Sequence, residues 1–455
     1  MSWPCTCFRT MVEMPNREVL RAWMGLAALA LALAGAMAVL LALSRIPGSQ
    51  TLFPWPVAFF ERGLVAHVVF SFVVWFLAAF GLMLALASRP ATASTIDRIA
   101  LGGAAASFVL LLVPSLTDRG EPTLNNYVPA ITDPLYYLGL ALLAGAMLLP
   151  VGRFLVDLAR GALARTPHAL VLGAGSAVYV LALVAFVLSA VALAPAAPSF
   201  DFNEALFWGG GHILQFLNVA ILIAAWIALA DDVLGGSGDS PAFRLAAGLL
   251  VLGAGAGLGL DLALDVNSSV RWEAFALLQY ALAPAPLLAA GAIARRLIPA
   301  ARTRPDIRRD PAFLALALSV AVFGVGGLLG LFVDGADTRT PAHYHGVIGG
   351  INLALMGVFL RIALPRAGRP PRGSRVLAVQ IWLYGAGQAL ASLGLFWAGG
   401  YGAPRKAAGE AQGLVELGAK LGLYLNGFGA LIAVMGGILF IVTLAGALLR
   451  RERSV

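Results

Sequence analysis

The sequence predicts an all-α polytopic membrane protein with twelve transmembrane helices and both termini in the cytoplasm. Of its 455 residues, 60% are hydrophobic and 12% are charged, and the mean hydropathy is +0.87. No soluble domain has this composition. Apolar runs of the roughly 20 residues that a spanning helix needs recur twelve times. The basic residues also divide unevenly between alternate loops, which supports both the helix count and the orientation.

The runs define one membrane domain, residues 19–450, between short tails at 1–18 and 451–455. The first run is too long for a cleaved signal peptide and is not followed by a small-residue cleavage site. Between the runs lie basic, proline-bearing loops on one side (151–168, 295–310 and 364–375) and longer loops on the other. In chain order, the predicted helices are 19–44, 57–87, 96–115, 133–151, 169–194, 204–231, 243–265, 272–294, 311–333, 341–364, 375–397 and 420–449.

The charge distribution sets the topology. With the N-terminus inside, 23 of the 31 basic residues lie on the cytoplasmic side and 8 on the outer side. This is the asymmetry expected of a multi-pass protein in a bacterial-type inner membrane. Because the basic residues are scattered over separate loops, the net charge of +8 indicates contact with the lipid bilayer and not with nucleic acid.

Cys5 and Cys7 form a Cys-x-Cys pair near the N-terminus. We interpret them as part of an unstructured tail, or as residues upstream of a true start at Met11 or Met14. A metal-relay role is the alternative. A disulfide framework for the membrane domain is excluded, since it contains no cysteine.

Four of the five histidines lie in predicted helices. His67 is in the second, His212 in the sixth, and His343 and His345 are in the tenth; His168 is expected in a cytoplasmic loop. Those three helices run in the same direction, so all four histidines fall in the outer half of the membrane. Unrelated interhelical hydrogen bonds would have no reason to share one layer, so this layer favours metal or haem ligation.

The spacing of His343 and His345 is informative in itself. Residues two apart point to nearly opposite sides of a helix, so these imidazoles cannot both bind one metal from the same face. They can instead serve two cofactors, one on each side. Two histidines make a six-coordinate haem, whereas one leaves a position open for a small gas. The neighbouring glycines, which permit close approach of a macrocycle or a helix, are Gly346, Gly349, Gly350 and Gly209 to Gly211.

These residues resemble subunit I of the haem-copper oxidase superfamily, which includes terminal oxygen reductases and nitric oxide reductases. The resemblance covers nearly the whole chain and is most specific in the histidine pattern. It implies that His67 and His345 bind a low-spin haem and that His343 binds a high-spin haem, both expected to be of b type. It also implies that His212 ligates a second metal, copper or non-haem iron.

Two further segments carry the resemblance. Arg405 and Lys406 match basic residues that pair with haem propionates in the family, although an ordinary solvated loop pair would look the same. The segments 126–129 and 134–139 resemble the entry to helix four of these proteins.

The seventh helix departs from the family pattern. The family has an adjacent His-His pair there, whereas residues 258–267 contain no histidine. Asp261 and Asp265 could replace the pair as carboxylate ligands, which suit iron better than copper. The alternative is that both aspartates cap the helix or pair with Arg271. Many oxidases also have a tyrosine four residues after the helix-six histidine, where this chain has Phe216.

The pattern as a whole predicts a dihaem oxidoreductase subunit that passes electrons from a low-spin haem to a high-spin haem binding O2 or NO. His212 and Gln215, which could hold a water, are the candidate catalytic residues. We expect a partner subunit carrying cytochrome c or a copper domain, or quinol, as electron donor. Alternatives are a nitric oxide reductase with non-haem iron, a non-catalytic haem sensor or electron conduit, and a haem-free transporter.

Overall fold

The computed structural model describes residues 16–44, 57–88, 94–194, 196–236, 238–333, 335, 337–371, 373–407 and 412–450. Cys5 and Cys7 lie outside them. The described residues contain twelve helices long and apolar enough to cross a membrane, so the predicted helix count is confirmed. They are α1 (Arg17–Ser44), α2 (Phe59–Ala87), α3 (Thr95–Leu116), α4 (Pro134–Ala159), α5 (Pro167–Leu193), α6 (Phe200–Leu234), α7 (Pro241–Ala263), α8 (Ser269–Thr303), α9 (Pro311–Phe332), α10 (Arg339–Arg366), α11 (Ser374–Gly400) and α12 (Leu417–Leu448).

Local signals fix where many of these helices begin. In six helices other than α1 and α10, a side-chain oxygen accepts a hydrogen bond from the first turn, which satisfies a backbone N–H that the helix cannot pair itself. Asn16 and Asp337 do the same at α1 and α10. Proline then often occupies the first helical position, where no N–H is needed. The capping residues are Ser94, Asp133, Thr166, Ser199, Ser240 and Asp310.

Helices α2, α6 and α10 form the centre of the bundle. In their most apolar windows 72%, 83% and 83% of the residues are buried, against 44% or less in every other helix. The outer helices pack on these three and on one another. The most extensive contacts are between α11 and α12, between α9 and α10, and between α5 and α6. The three enclosed helices carry His67, His212, His343 and His345, so the fold places the predicted ligands inside the protein and not against lipid.

A short antiparallel hairpin covers one end of the bundle between α3 and α4. Its strands are β1 (Pro122–Thr123) and β2 (Ala130–Ile131). At its turn, Tyr127 has φ of 62°, a left-handed conformation that is uncommon for residues other than glycine. At the other end, Arg361 of α10 lies 3.1 Å from Asp232 of α6 and 3.3 Å from Asp310, which joins the two most enclosed helices.

Candidate functional site

The pairing of Trp75 with Asn352 aligns α2 with α10. The indole Nε1–H of Trp75 donates to Asn352 Oδ1 at 2.8 Å, and Asn352 Nδ2 donates to the hydroxyl of Tyr384 at 2.9 Å. His67 lies eight residues before Trp75, and His345 lies seven before Asn352. Because α2 and α10 run in the same direction, both histidines lie toward the same end of the bundle from the Trp75–Asn352 pair. The separation along the helix axes is about 10–12 Å. The two predicted low-spin ligands therefore occupy one level of the bundle.

A π-helical turn in α2 also adjusts the direction of His67. In a regular α-helix, residues seven apart share a face to within about 20°, whereas residues eight apart differ by about 80°. The π turn Val69–Val74 accommodates one extra residue between His67 and Trp75. His67 is thereby rotated toward the face of α2 that Trp75 presents to α10, matching the seven-residue offset of His345.

His67, His212 and His343 make the same kind of hydrogen bond to a backbone carbonyl. The Nδ1 atoms of His67, His212 and His343 lie 2.9, 2.7 and 2.8 Å from the carbonyl oxygens of Ala34, Trp208 and Gly326. A carbonyl only accepts, so each Nδ1 carries the proton and each Nε2 carries the lone pair. Metal-ligating histidines almost always make such a bond, which fixes the tautomer and the orientation of the ring. His345 is half-buried, with its ring 5.6 Å from that of Tyr344.

Glycines of α9 bring its backbone against α10 at His343. A Cβ on Gly326 would lie 2.3 Å from Val347 N, and one on Gly330 would lie 2.5 Å from His343 Nδ1. Gly346, Gly349 and Gly350 meet α9 or α11 at similarly short distances. These glycines therefore serve close helix packing, the second of the two roles that the sequence left open.

We predict that Gly326→Ala weakens the fold and disturbs His343. The new methyl group would meet backbone and not a movable side chain, so α9 would have to shift away, at a cost of about 1–3 kcal/mol. The measurement is the thermal unfolding temperature of the purified protein. Gly327→Ala is the matched control, because a Cβ there has nothing within 4 Å. Equal losses in the two variants would contradict this explanation.

His212 is enclosed in a polar and aromatic pocket. Its side chain is almost fully buried, and its Nε2 lies 2.7 Å from the hydroxyl of Tyr127 and 3.0 Å from Nε2 of Gln279. Gln279 also donates to the Tyr127 oxygen at 2.8 Å. The rings of Trp208 and Phe275 lie 4.7 and 5.1 Å away. Sequence reasoning missed that Tyr127 and Gln279 meet His212, since no spacing along the chain relates the three.

The two aspartates have partners other than those a metal site would need. Asp261 forms a buried ion pair with Arg271 at 2.8 Å. Asp265 is exposed and accepts from Asn267 N at 2.9 Å. In the described part of the chain, no three His, Cys, Asp or Glu residues are grouped so as to hold a metal. The alternative interpretation, in which these residues pair and cap, therefore describes the structure better than a ligand set with His212.

Gln215 points toward a small cavity between α2 and α6. The cavity has a volume of about 30 Å³, and its lining includes Tyr127, Gln215 and Asn218 among mostly apolar side chains. This is space for about one water molecule. The Gln215 amide otherwise bonds weakly to the carbonyl of Gly211 on its own helix, at 3.4 Å. The geometry is thus compatible with the predicted water-holding role.

Arg405 and Lys406 contact the hairpin end of the site. Arg405 Nη2 donates to Asn126 Oδ1 at 3.4 Å, and Lys406 Nζ donates to the carbonyl of Leu124. Asn126 in turn donates its backbone N–H to buried Glu204 at 2.7 Å. Both cations are half-buried, so this is a packed junction of three segments and not a freely solvated loop pair.

The pKa of Lys406 is lowered to about 8, mainly by burial and also by the charge of Arg405, while Glu204 opposes the shift. The folded protein releases the proton more readily than the unfolded chain, whose lysine titrates near 10.5. We therefore expect stability to rise as the pH increases from about 8 to about 10.5. Lys406→Met should flatten this rise in thermal unfolding at fixed ionic strength, whereas exposed Lys420→Met should leave it unchanged. A slope unaffected by Lys406→Met would contradict the assignment.

His168, predicted in a loop, is instead the second residue of α5 and is half-buried. The boundary differs because Thr166 caps the helix and Pro167 occupies its first position. Since odd-numbered helices run opposite to even-numbered ones, His168 lies at the other end of the bundle from the four candidate ligands. It is not part of the site.

Comparisons with known proteins agree with this architecture. Residues 18–432 match the family model described as Cytochrome C and Quinol oxidase polypeptide I. An uncharacterised protein of Rickettsia prowazekii (strain Madrid E) is 25% identical over 500 aligned residues, covering 94% of this chain and 95% of that protein. One of Aquifex aeolicus (strain VF5) is 29% identical over 340, covering 74% and 81%. The chain is also similar to a solved heme-copper terminal oxidase dimer, with a TM-score of 0.77, 16% identity and coverage of 96% and 85%. At this identity, the likeness shows the fold.

Proposed function

Because the chain belongs to the cytochrome c and quinol oxidase polypeptide I family, we propose that it is a dihaem membrane oxidoreductase subunit. His67 and His345 hold a low-spin haem, and His343 holds a high-spin haem that binds O2 or NO. The observation that carries the proposal is that His67 and His343 each form the same kind of hydrogen bond to a backbone carbonyl. Each ring donates from Nδ1 to a backbone carbonyl and keeps Nε2 as the lone-pair nitrogen. Iron needs this lone pair.

The donor chemistry of these residues fits haem. A bis-imidazole haem exchanges electrons without binding substrate, whereas a haem with one imidazole keeps a position for a gas. The chain itself supplies orientation: the Trp75–Asn352 bond keeps His67 and His345 at one level, and the π turn of α2 adjusts the direction of His67. Arg405 and Lys406 supply positive charge beside buried Glu204. The carboxylates of the haem propionates would pair with these two cations.

A second metal fits these residues poorly. Among the described residues no group of three His, Cys, Asp or Glu side chains includes His212, and Asp261 is paired with Arg271. This favours gas binding or electron transfer at one iron over nitric oxide reduction with non-haem iron. The electron donor is proposed to be quinol or a partner subunit with cytochrome c or a copper domain, and the location a bacterial-type inner membrane with both termini inside.

Carbon monoxide binding tests whether only one of the two proposed haems can bind a gas. Added to the reduced, purified protein, it should shift the optical spectrum of one haem of the two and leave the other unchanged. His343→Ala should abolish the shift, while the bis-imidazole haem persists. A shift of both haems, or of neither, would refute the proposed ligand assignment.

A further inference from the structure

The orientation of His212 determines which of its nitrogens could bind a metal. Nδ1 lies 2.7 Å from the carbonyl oxygen of Trp208, four residues earlier on the same helix. Since that oxygen only accepts, Nδ1 carries the proton. The lone pair of the neutral ring is therefore on Nε2, the only nitrogen that a metal could use.

Nε2 already has a donor. The phenol of Tyr127 lies 2.7 Å away and donates its proton to the lone pair, and Gln279 donates to the phenol oxygen. Tyr127 is held in place by the left-handed turn of the hairpin and by Gly211, where a Cβ would lie 2.6 Å from Tyr127 Cβ. Trp208 and Phe275 pack around the imidazole. The three polar groups thus bond to one another in a buried, largely aromatic pocket.

The carboxylate on the neighbouring helix, Asp261, is already paired with Arg271 through one of its two oxygens. Asp261 Oδ1 is bound by Arg271, which also donates to Ser189 and to the carbonyl of Val266. Asp261 Oδ2 is buried without a hydrogen bond among the described residues, and it lies against Gly209 of α6. Recruiting Asp261 to His212 would leave Arg271 as a buried charge without its counter-ion.

We propose that His212 is not a metal ligand in this chain, and that Tyr127, His212 and Gln279 form a metal-free hydrogen-bonded triad where related oxidases would hold a second metal. Tyr127 comes from the hairpin between α3 and α4 and brings a phenol to the imidazole, although the helix-six position four residues after His212 is Phe216. Where the proposed haems are bound, chemistry at this centre is that of one iron with hydrogen-bond donors beside it. This last statement rests on the proposed function; the triad does not.

Metal analysis tests the absence of the metal. The full-length protein, produced with copper and iron in the growth medium, should contain iron equal to its haem and no stoichiometric copper, zinc or non-haem iron. His212→Leu should leave the metal content unchanged. A third metal that is present in the wild type and lost in His212→Leu would overturn the proposal.

A double-mutant cycle tests the triad itself. If Tyr127 bonds to His212, the double variant Tyr127→Phe/His212→Leu should lose less stability than the sum of the losses in the two single variants. Tyr280→Phe, an exposed tyrosine next to Gln279, should show no such coupling to His212→Leu. Additive losses for Tyr127 and His212 would contradict the triad. A protein without haem and without metal would refute the proposed function alone; one with two haems and a metal at His212 would refute this proposal alone.

Discussion

Replacing His67 or His345 with alanine should abolish the low-spin haem signal and leave the gas-binding haem in place. The two residues belong to different helices, which the Trp75–Asn352 hydrogen bond aligns, and the π turn of α2 adjusts the direction of His67. Losing either imidazole would remove one of the two nitrogen ligands that a low-spin haem requires. The measurement is the optical and electron paramagnetic resonance spectrum of each purified variant.

His168→Ala is the matched control for this prediction. His168 is also half-buried in a helix but lies at the opposite end of the bundle. It should leave both haem signals intact. If His67→Ala or His345→Ala removed only the high-spin signal, the assignment of ligands to the two faces of α10 would be reversed.

Replacing Arg271 with leucine should cause the largest loss of stability among the charged residues. The Arg271 side chain is 1% exposed and that of Asp261 is 2% exposed, so the variant leaves a buried carboxylate without its counter-ion. Breaking such a pair typically costs about 3–5 kcal/mol. Arg271 also bonds Ser189 of α5, so α5, α7 and α8 would all lose a shared contact.

Two further variants test whether the loss of stability comes from leaving a buried Asp261 carboxylate unpaired or simply from removing a positive charge. Asp261→Asn combined with Arg271→Met removes both charges and should recover much of the stability. Arg244→Gln breaks an ion pair of similar length, 3.0 Å to Asp239, whose side chains are more than half exposed. It should cost no more than about 1 kcal/mol. Thermal unfolding in detergent compares the three, and equal losses in the Arg244 and Arg271 variants would contradict the role of burial.

The sequence was sufficient for the membrane architecture because bilayer thickness imposes a length on every apolar run. Helix ends were harder. The sixth helix was predicted at 204–231 and is Phe200–Leu234, and the eighth was predicted at 272–294 and is Ser269–Thr303. Both continue past their apolar runs into polar turns, because capping and backbone hydrogen bonds, and not hydropathy, decide where a helix stops.

The candidate site could be predicted only where its residues share a helical repeat. The His-x-His spacing in α10 and the level of His67 and His212 follow from helix geometry. The contact between Tyr127 and His212 depends on a hairpin whose turn requires a positive φ, and no periodicity encodes that. Likewise, the choice of Asp261 between a metal and Arg271 depends on distances that only the fold defines.

Haem content per chain tests the central claim most directly. The purified full-length protein should show a Soret band, and extraction and quantification of its haem should give two haems per polypeptide. The low-spin signal of one of these haems should disappear in His67→Ala. A protein that folds with its twelve helices intact and carries no haem would contradict the account.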